Sequence, residues 1–137
     1  MTTGDTLLAL DVGTRRIGVA RADTSTRLAF AIDTIAVDGQ ELSALRRLID
    51  DVKPAKLVIG YPRNQSGDPT QQTELVVQFA KQLESLGIPL VFQDESLTSV
   101  EAERRLTSHG KPYSKADIDA EAAAIILQDY IEAYHGY

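Results

Sequence analysis

Leu7-Leu8-Ala9-Leu10-Asp11-Val12-Gly13-Thr14-Arg15-Arg16-Ile17-Gly18-Val19-Ala20-Arg21-Ala22 is the stretch from which the fold can be read. Leu7 to Val12 is a short, nearly continuous apolar run, as a buried strand requires. Gly13-Thr14 signals a turn and Ile17 to Ala22 reads as a second strand, so the two form a hairpin. A third strand is expected at about Phe30 to Val37. Strands in such close succession pair antiparallel, because a parallel crossover needs about a dozen residues or more.

Beyond this meander the pattern changes. Leu42, Leu45, Ile49 and Val52 recur at helical spacing between Glu41 and Val52, and Lys53-Pro54 stops that helix. Leu57 to Tyr61 is the next buried strand. After a loop from Pro62 to Pro69, a second helix carries Leu75, Val76, Phe79, Leu83 and Leu86 on one face and stops at Gly87; Leu90 to Gln93 is the fifth strand. Thr98 followed by Glu101 has the form of a capping box opening a short helix that ends near Gly110. Lys111 to Lys115 reads as a loop, and a last helix runs from about Ala116 to Tyr134. Strands alternating with helices imply parallel crossovers. The expected fold is α/β, one domain over residues 1–137. Its mixed five-stranded sheet joins an antiparallel three-stranded meander to parallel βαβ units, flanked by helices.

At 137 residues and 43% hydrophobic content, the chain can bury an ordinary core without metal or disulfide staples. The absence of cysteine excludes disulfides, thiolate nucleophiles and Cys-based zinc sites. No stretch approaches the roughly 20 apolar residues that span a bilayer, and no basic cluster precedes an apolar run at the N-terminus, so a cytoplasmic protein is expected. The net charge is −6, from 14 Lys plus Arg against 20 Asp plus Glu, which argues against a broad phosphate-binding surface. Any phosphate contact must then be local, and Arg15, Arg16, Arg21, Arg27 and Arg63 gather in or beside the turns of the first half; on charge alone a solvated mixed surface is the favoured reading.

Three carboxylates stand where carboxylates are costly. Asp11 closes the first buried strand, and an ionised group there needs a partner or a metal. Strand ends of this kind are where α/β sheets place their ligands, although Asp11 as a cap on the Gly13-Thr14 turn is an equal alternative. Asp94 and Glu95 follow the fifth strand, and because they point to opposite faces only one can face the side of Asp11; periodicity leaves open which. On the last helix Asp117, Glu121, Gln128 and Glu132 form one polar stripe, whereas Asp119 falls nearly opposite, beside Ala123 on the face that packs on the sheet. A cation shared with Asp11 is the favoured partner for Asp119, and an arginine is the alternative. Two or three convergent carboxylates without His or Cys suit Mg²⁺ or Mn²⁺ rather than zinc. Two such ions can drive phosphodiester hydrolysis. His109, at a helix end, and His135, in the tail, read as surface residues. Tyr61 and Tyr113 are placed in loops near the site, with Tyr61 as the last residue of its strand the alternative.

These residues also carry a family likeness. Leu10 through Ala20, Ile59-Gly60-Tyr61-Pro62-Arg63-Asn64 through Gly67, Asp94 through Ala102, and Ile118-Asp119 through Gln128 resemble, in order and interval, the motifs of the YqgF family, also called Holliday junction resolvases or pre-16S rRNA nucleases. The resemblance implies a ribonuclease-H-like fold, and a hydrolase with catalytic, metal-binding carboxylates at Asp11, Glu95 and Asp119. It assigns Gly13, Thr14, Asp94 and Thr98 supporting roles and places nucleic-acid contacts at Arg15, Arg16, Arg63 and Asn64. Its implied partners are pre-16S rRNA or a pre-ribosomal particle, with branched DNA second, and the protomer is expected to be a monomer or weak homodimer. One departure is Ser96, where the family usually has Arg, which bears on substrate affinity. Two other readings compete: a phosphate loop of the actin and sugar-kinase kind, for which one lobe of this length is too short, and a non-catalytic RNA- or ribosome-binding module.

Overall fold

The computed structural model describes residues 5–62, 70–95 and 98–134. Five strands form one sheet, β1 (Thr6–Val12), β2 (Arg16–Asp23), β3 (Leu28–Ala36), β4 (Lys56–Pro62) and β5 (Leu90–Glu95), in the order β3-β2-β1-β4-β5. β1 pairs antiparallel with β2, and β2 with β3, while β4 runs parallel to β1 and β5 parallel to β4. This is the mixed sheet that the spacing of the apolar runs predicts.

α1 (Glu41–Val52) and α2 (Gln71–Leu83) cover one face of the sheet, and α4 (Lys115–Tyr134) covers the other, with α3 (Thr98–Ser108) lying against α4. Alternation along the strands divides the core. Leu8, Leu10, Val12, Ile17, Val19, Leu57 and Ile59 pack toward α1 and α2. Leu7, Ala9, Ala20, Ala22 and Val58 pack toward Ala123, Ala124, Ile126, Leu127 and Ile131 of α4. Alanines on both sides of that second interface let the helix settle close to the sheet. Burying each larger aliphatic side chain there contributes about 1.5–3 kcal/mol.

Two local expectations change. α4 is buried continuously from Ala122 to Leu127, because Ala122 and Ile125 turn to α3 while the next residues face the sheet. Its polar stripe is largely engaged: Asp117 caps the helix by accepting from the Ser114 backbone N–H at 2.8 Å, Glu121 pairs with Arg105 at 3.4 Å, and Gln128 reaches β3. The expected capping box of α3 rests on the Thr98 side chain, which lies outside the described residues; the Glu101 carboxylate pairs with Arg104 and with Arg105 at 3.8 Å. A capping box lies at Thr70 and Thr73 of α2, where a threonine fills the place that Glu or Gln usually takes.

β3 is an edge strand. Gln128 of α4 accepts from the Ala29 N–H and donates to the Arg27 carbonyl, both at 3.0 Å, so one side-chain amide occupies backbone groups that a further strand would use.

Candidate active site

The alternation that divides the core also sorts the candidate residues. Asp11 follows Leu7 and Ala9 in the row that faces α4. Its cross-strand partner is Gly18, which belongs to the same row as Ala20 and Ala22. On β4 and β5 the row continues through Val58↔Val91 and Gly60↔Gln93 to Pro62↔Glu95, whereas Asp94, opposite Tyr61, belongs to the row facing α1 and α2. The backbone register thus separates Glu95 from Asp94, a distinction that counting residues left open. The side chains of Glu95 and Thr98 lie outside the described residues, as do Arg63, Asn64, Ser96 and His135.

Gly18 determines how α4 reaches this row. A Cβ at Gly18 would stand 1.9 Å from the Asp119 carbonyl oxygen, 2.3 Å from its carbon and 2.8 Å from the Ala120 nitrogen. Only a residue without a side chain lets the helix backbone rest on the strand there. Cross-strand neighbours in an antiparallel ladder lie about 4.5–5.5 Å apart at their Cα atoms. The backbone of Asp119 thus rests on the residue paired with Asp11. The Thr34 hydroxyl fastens the start of the same helix, donating to the Ala116 carbonyl at 2.8 Å. Sequence reading gave Gly18 no role, though an isolated glycine inside a strand is a signal of close backbone approach.

Asp119 is three-quarters buried and has a partner: the Nε of Arg16 donates to its Oδ2 at 2.6 Å. The side chain that meets Asp119 is thus an arginine, the same Arg16 that the family resemblance places at nucleic-acid contact. Arg16 opens β2 directly after the hairpin turn, in the α4-facing row with Gly18, so strand geometry delivers it to the helix.

The turn itself closes through the Gly13 N–H, which donates to the Arg16 carbonyl at 3.0 Å. From the other side of the sheet, the Gln72 side chain of α2 donates to the Val12 carbonyl at 2.6 Å. The end of β1 is thereby held on both flanks of Asp11. Thr14 and Arg15 are exposed at the tip of the turn.

Tyr61 belongs to β4, the strand reading of the two, and meets Phe92 edge-on at 5.3 Å on the face away from Asp11. Tyr113 lies after α3, its hydroxyl 3.1 Å from that of Thr107. His109 is exposed at the end of α3. None of the three is brought to the Asp11 row.

Among the described side chains, no three of His, Cys, Asp or Glu converge as they would around a metal ion. The trio Asp11, Asp119 and Glu95 draws its third member from a residue described by its backbone alone. Its donors are all carboxylate oxygens, a set that fits a hard divalent cation. Among the described residues, no helix is long and apolar enough to cross a membrane.

The fold is ribonuclease-H-like. Thermus thermophilus RuvC in complex with Holliday junction substrate superposes with a TM-score of 0.56 at 14% identity, covering 96% of each chain. The fowlpox virus resolvase bound to Holliday junction DNA gives 0.54 at 10% identity, over 93% of this chain and 97% of that one. At such identities the likeness concerns the fold alone.

Sequence likeness goes further. The family described as "RuvX: Holliday junction resolvase" matches residues 5–133. A Chloroflexus aurantiacus protein named "Putative pre-16S rRNA nuclease" is 44% identical over 132 residues, 93% of this chain and 86% of the relative. A protein of the same name from Caldanaerobacter subterraneus is 40% identical over 135 residues, covering 93% and 96%. The chain belongs to this family of nucleases.

Proposed function

We propose that the chain is a divalent-metal-dependent endonuclease that cleaves structured RNA at the 5′ end of pre-16S rRNA, with Asp11, Glu95 and Asp119 as its catalytic carboxylates. The observation that carries this reading is the α4-facing row: β1 contributes Asp11, Gly18 admits the backbone of Asp119, and the β5 register brings in Glu95. Mg²⁺ or Mn²⁺ held there would supply a nucleophilic water and stabilise the oxygens of the displacement. The chain's own part is to keep three oxygen donors on one face and to approach phosphate from the hairpin tip, where Arg15 is exposed and Arg16 lies beside Asp119. Arg63 and Asn64 follow β4 in sequence and complete the proposed contact set. An RNA helix or junction can meet such a local cluster although the chain carries a net charge of −6.

The description of the matching family as a Holliday junction resolvase supports branched DNA as the second reading. The deciding experiment offers precursor 16S rRNA and a four-way DNA junction, each with Mg²⁺ or Mn²⁺, to the native chain, Asp11→Asn and Asp119→Asn. Loss of a direct metal ligand is expected to cost more than the roughly 10–100-fold typical of a ligand's supporting neighbour. Equal cleavage by all three proteins would sink the site assignment, and the substrate cut faster by the native chain ranks RNA against DNA. A second readout is heat stability. Mn²⁺ at 100 times its Kd adds about 2.7 kcal/mol to the native chain, a gain that Asp11→Asn should abolish.

A further inference from the structure

We infer that Arg16 is a built-in counter-ion that competes with the metal for Asp119, and that its guanidinium, once displaced, turns to the substrate phosphate. This rests on the reading of Asp119 as a metal ligand. Three observations support it. First, the contact is specific: one guanidinium nitrogen, Nε, meets one carboxylate oxygen, Oδ2, at 2.6 Å, in the distance range of a charge-assisted hydrogen bond. Second, both partners are fixed by backbone, Arg16 by the hairpin ladder and Asp119 by the Gly18 contact, so the pairing follows from the fold. Third, the Arg16 side chain stays about one-third exposed, which leaves it a path to swing outward without unpacking the core.

The physical conflict is between charges. A cation held by Asp119 would share that carboxylate with the guanidinium. Even at the dielectric of bulk water, a unit charge and a divalent one about 5 Å apart repel by enough to change affinity roughly tenfold. The arginine therefore competes with the ion, and its release is the step that makes room. Once free, a planar five-donor fork beside the reacting centre is suited to a phosphodiester oxygen. Metal occupancy and substrate capture would then be coupled through one side chain. The free enzyme would bind metal weakly, and the enzyme with nucleic acid present would bind it more tightly, because phosphate takes up the displaced arginine.

The test titrates Mn²⁺ into the full chain by calorimetry, using native protein, Arg16→Gln, Arg16→Lys, Asp119→Asn and Asp11→Asn. Arg16→Gln should bind Mn²⁺ about tenfold more tightly, Arg16→Lys should stay within a few-fold of native, and both aspartate variants should lose affinity. Arg16→Gln should nevertheless cleave with lower kcat/KM, the loss residing in KM. If Arg16→Gln binds Mn²⁺ no more tightly than native while the aspartate variants lose it, the displacement proposal is overturned and the site reading stands. If the aspartate variants bind like native, the site reading itself fails. Should Arg16→Gln fold poorly, the native chain supplies the measurement through the Nε–H of Arg16 followed by NMR. Adding Mg²⁺ should shift that signal and speed its exchange with water, and an unmoved, still protected signal would overturn the proposal.

Discussion

Replacing Gly18 with alanine adds a single methyl group, and the structure gives the consequence in distances. The new Cβ would lie 1.9 Å from the Asp119 carbonyl oxygen, 2.3 Å from its carbon and 2.8 Å from the Ala120 nitrogen. All three are backbone atoms of a helix, so no side-chain rotation relieves the clash. Reaching ordinary carbon contact of about 3.5 Å requires α4 to recede by roughly 1.5 Å at this point. A gap of even 0.5–1 Å forfeits about a quarter to a half of the dispersion energy of facing atoms, and overpacking of this kind costs about 1–3 kcal/mol or more. We expect Gly18→Ala to lose roughly 3 kcal/mol, a fall in Tm of about 10 °C for a chain of this size. A reacting group misplaced by about 1 Å can also cost 100-fold in rate. Cleavage by the folded variant should therefore fall by about that factor below the denaturation temperature. Gly87→Ala is the control: Gly87 has φ +77° with nothing within 4 Å of a Cβ, so it should cost about 1 kcal/mol of backbone strain and leave cleavage intact. Urea unfolding and a cleavage assay on both variants decide the matter. A Gly18→Ala protein as stable and as active as native would refute the close-approach argument.

Three further outcomes are open to measurement. Burial first, then the nearby carboxylates of Glu132 and Glu101, raise the pKa of Asp129, against a lowering contribution from Arg105. The charged form is therefore disfavoured in the folded chain, and its cost is present above the raised pKa and relieved as pH falls through it. Asp129→Asn should raise Tm at neutral pH, with the gain vanishing in acid; a pH-independent gain would exclude the carboxylate as its cause. Gln128→Ala removes both bonds to the β3 edge and should cost about 1–2 kcal/mol by urea unfolding. It should also promote self-association visible by light scattering, because Leu28 and Phe30 on that strand are 54% and 60% exposed. Ile126→Ala, at a fully buried position between α4 and the sheet, should cost about 2–5 kcal/mol with metal affinity reduced in step, since the same helix carries Asp119.

The sheet was legible because its strands are short apolar runs whose separations permit only certain pairings. Three runs too close for a crossover had to form a meander, and two runs separated by helical patterns had to be parallel. α1 was legible to the residue, from Glu41 to Val52, because Lys53 adopts the left-handed conformation that ends it before Pro54. Asp119 stood out as a charge on an apolar face, but its partner did not. Arg16 lies 103 residues away in the chain, and helical angle alone cannot distinguish a guanidinium from a metal ion. Neither could alternation within one strand separate Asp94 from Glu95. That choice required the pairing of β5 with β4 and of β4 with β1, which carries the face of Leu7 and Ala9 across to Glu95. The capping box of α2 was missed because a threonine serves where the familiar pattern has a glutamate.

The contact between Gly18 and α4 has a consequence for how the protein fails. Asp11 and Arg16 belong to the first hairpin, Asp119 to a helix more than a hundred residues later, and no smaller folding unit contains both halves of the site. If α4 lifts from the sheet while the strands stay paired, the site is dismantled before the rest of the molecule melts. Partial damage by heat, a truncating protease or a core mutation in α4 would then yield an inert β-sheet fragment rather than a loosely specific nuclease. For a nuclease, losing the proposed site together with the Gly18–α4 contact would be a safeguard.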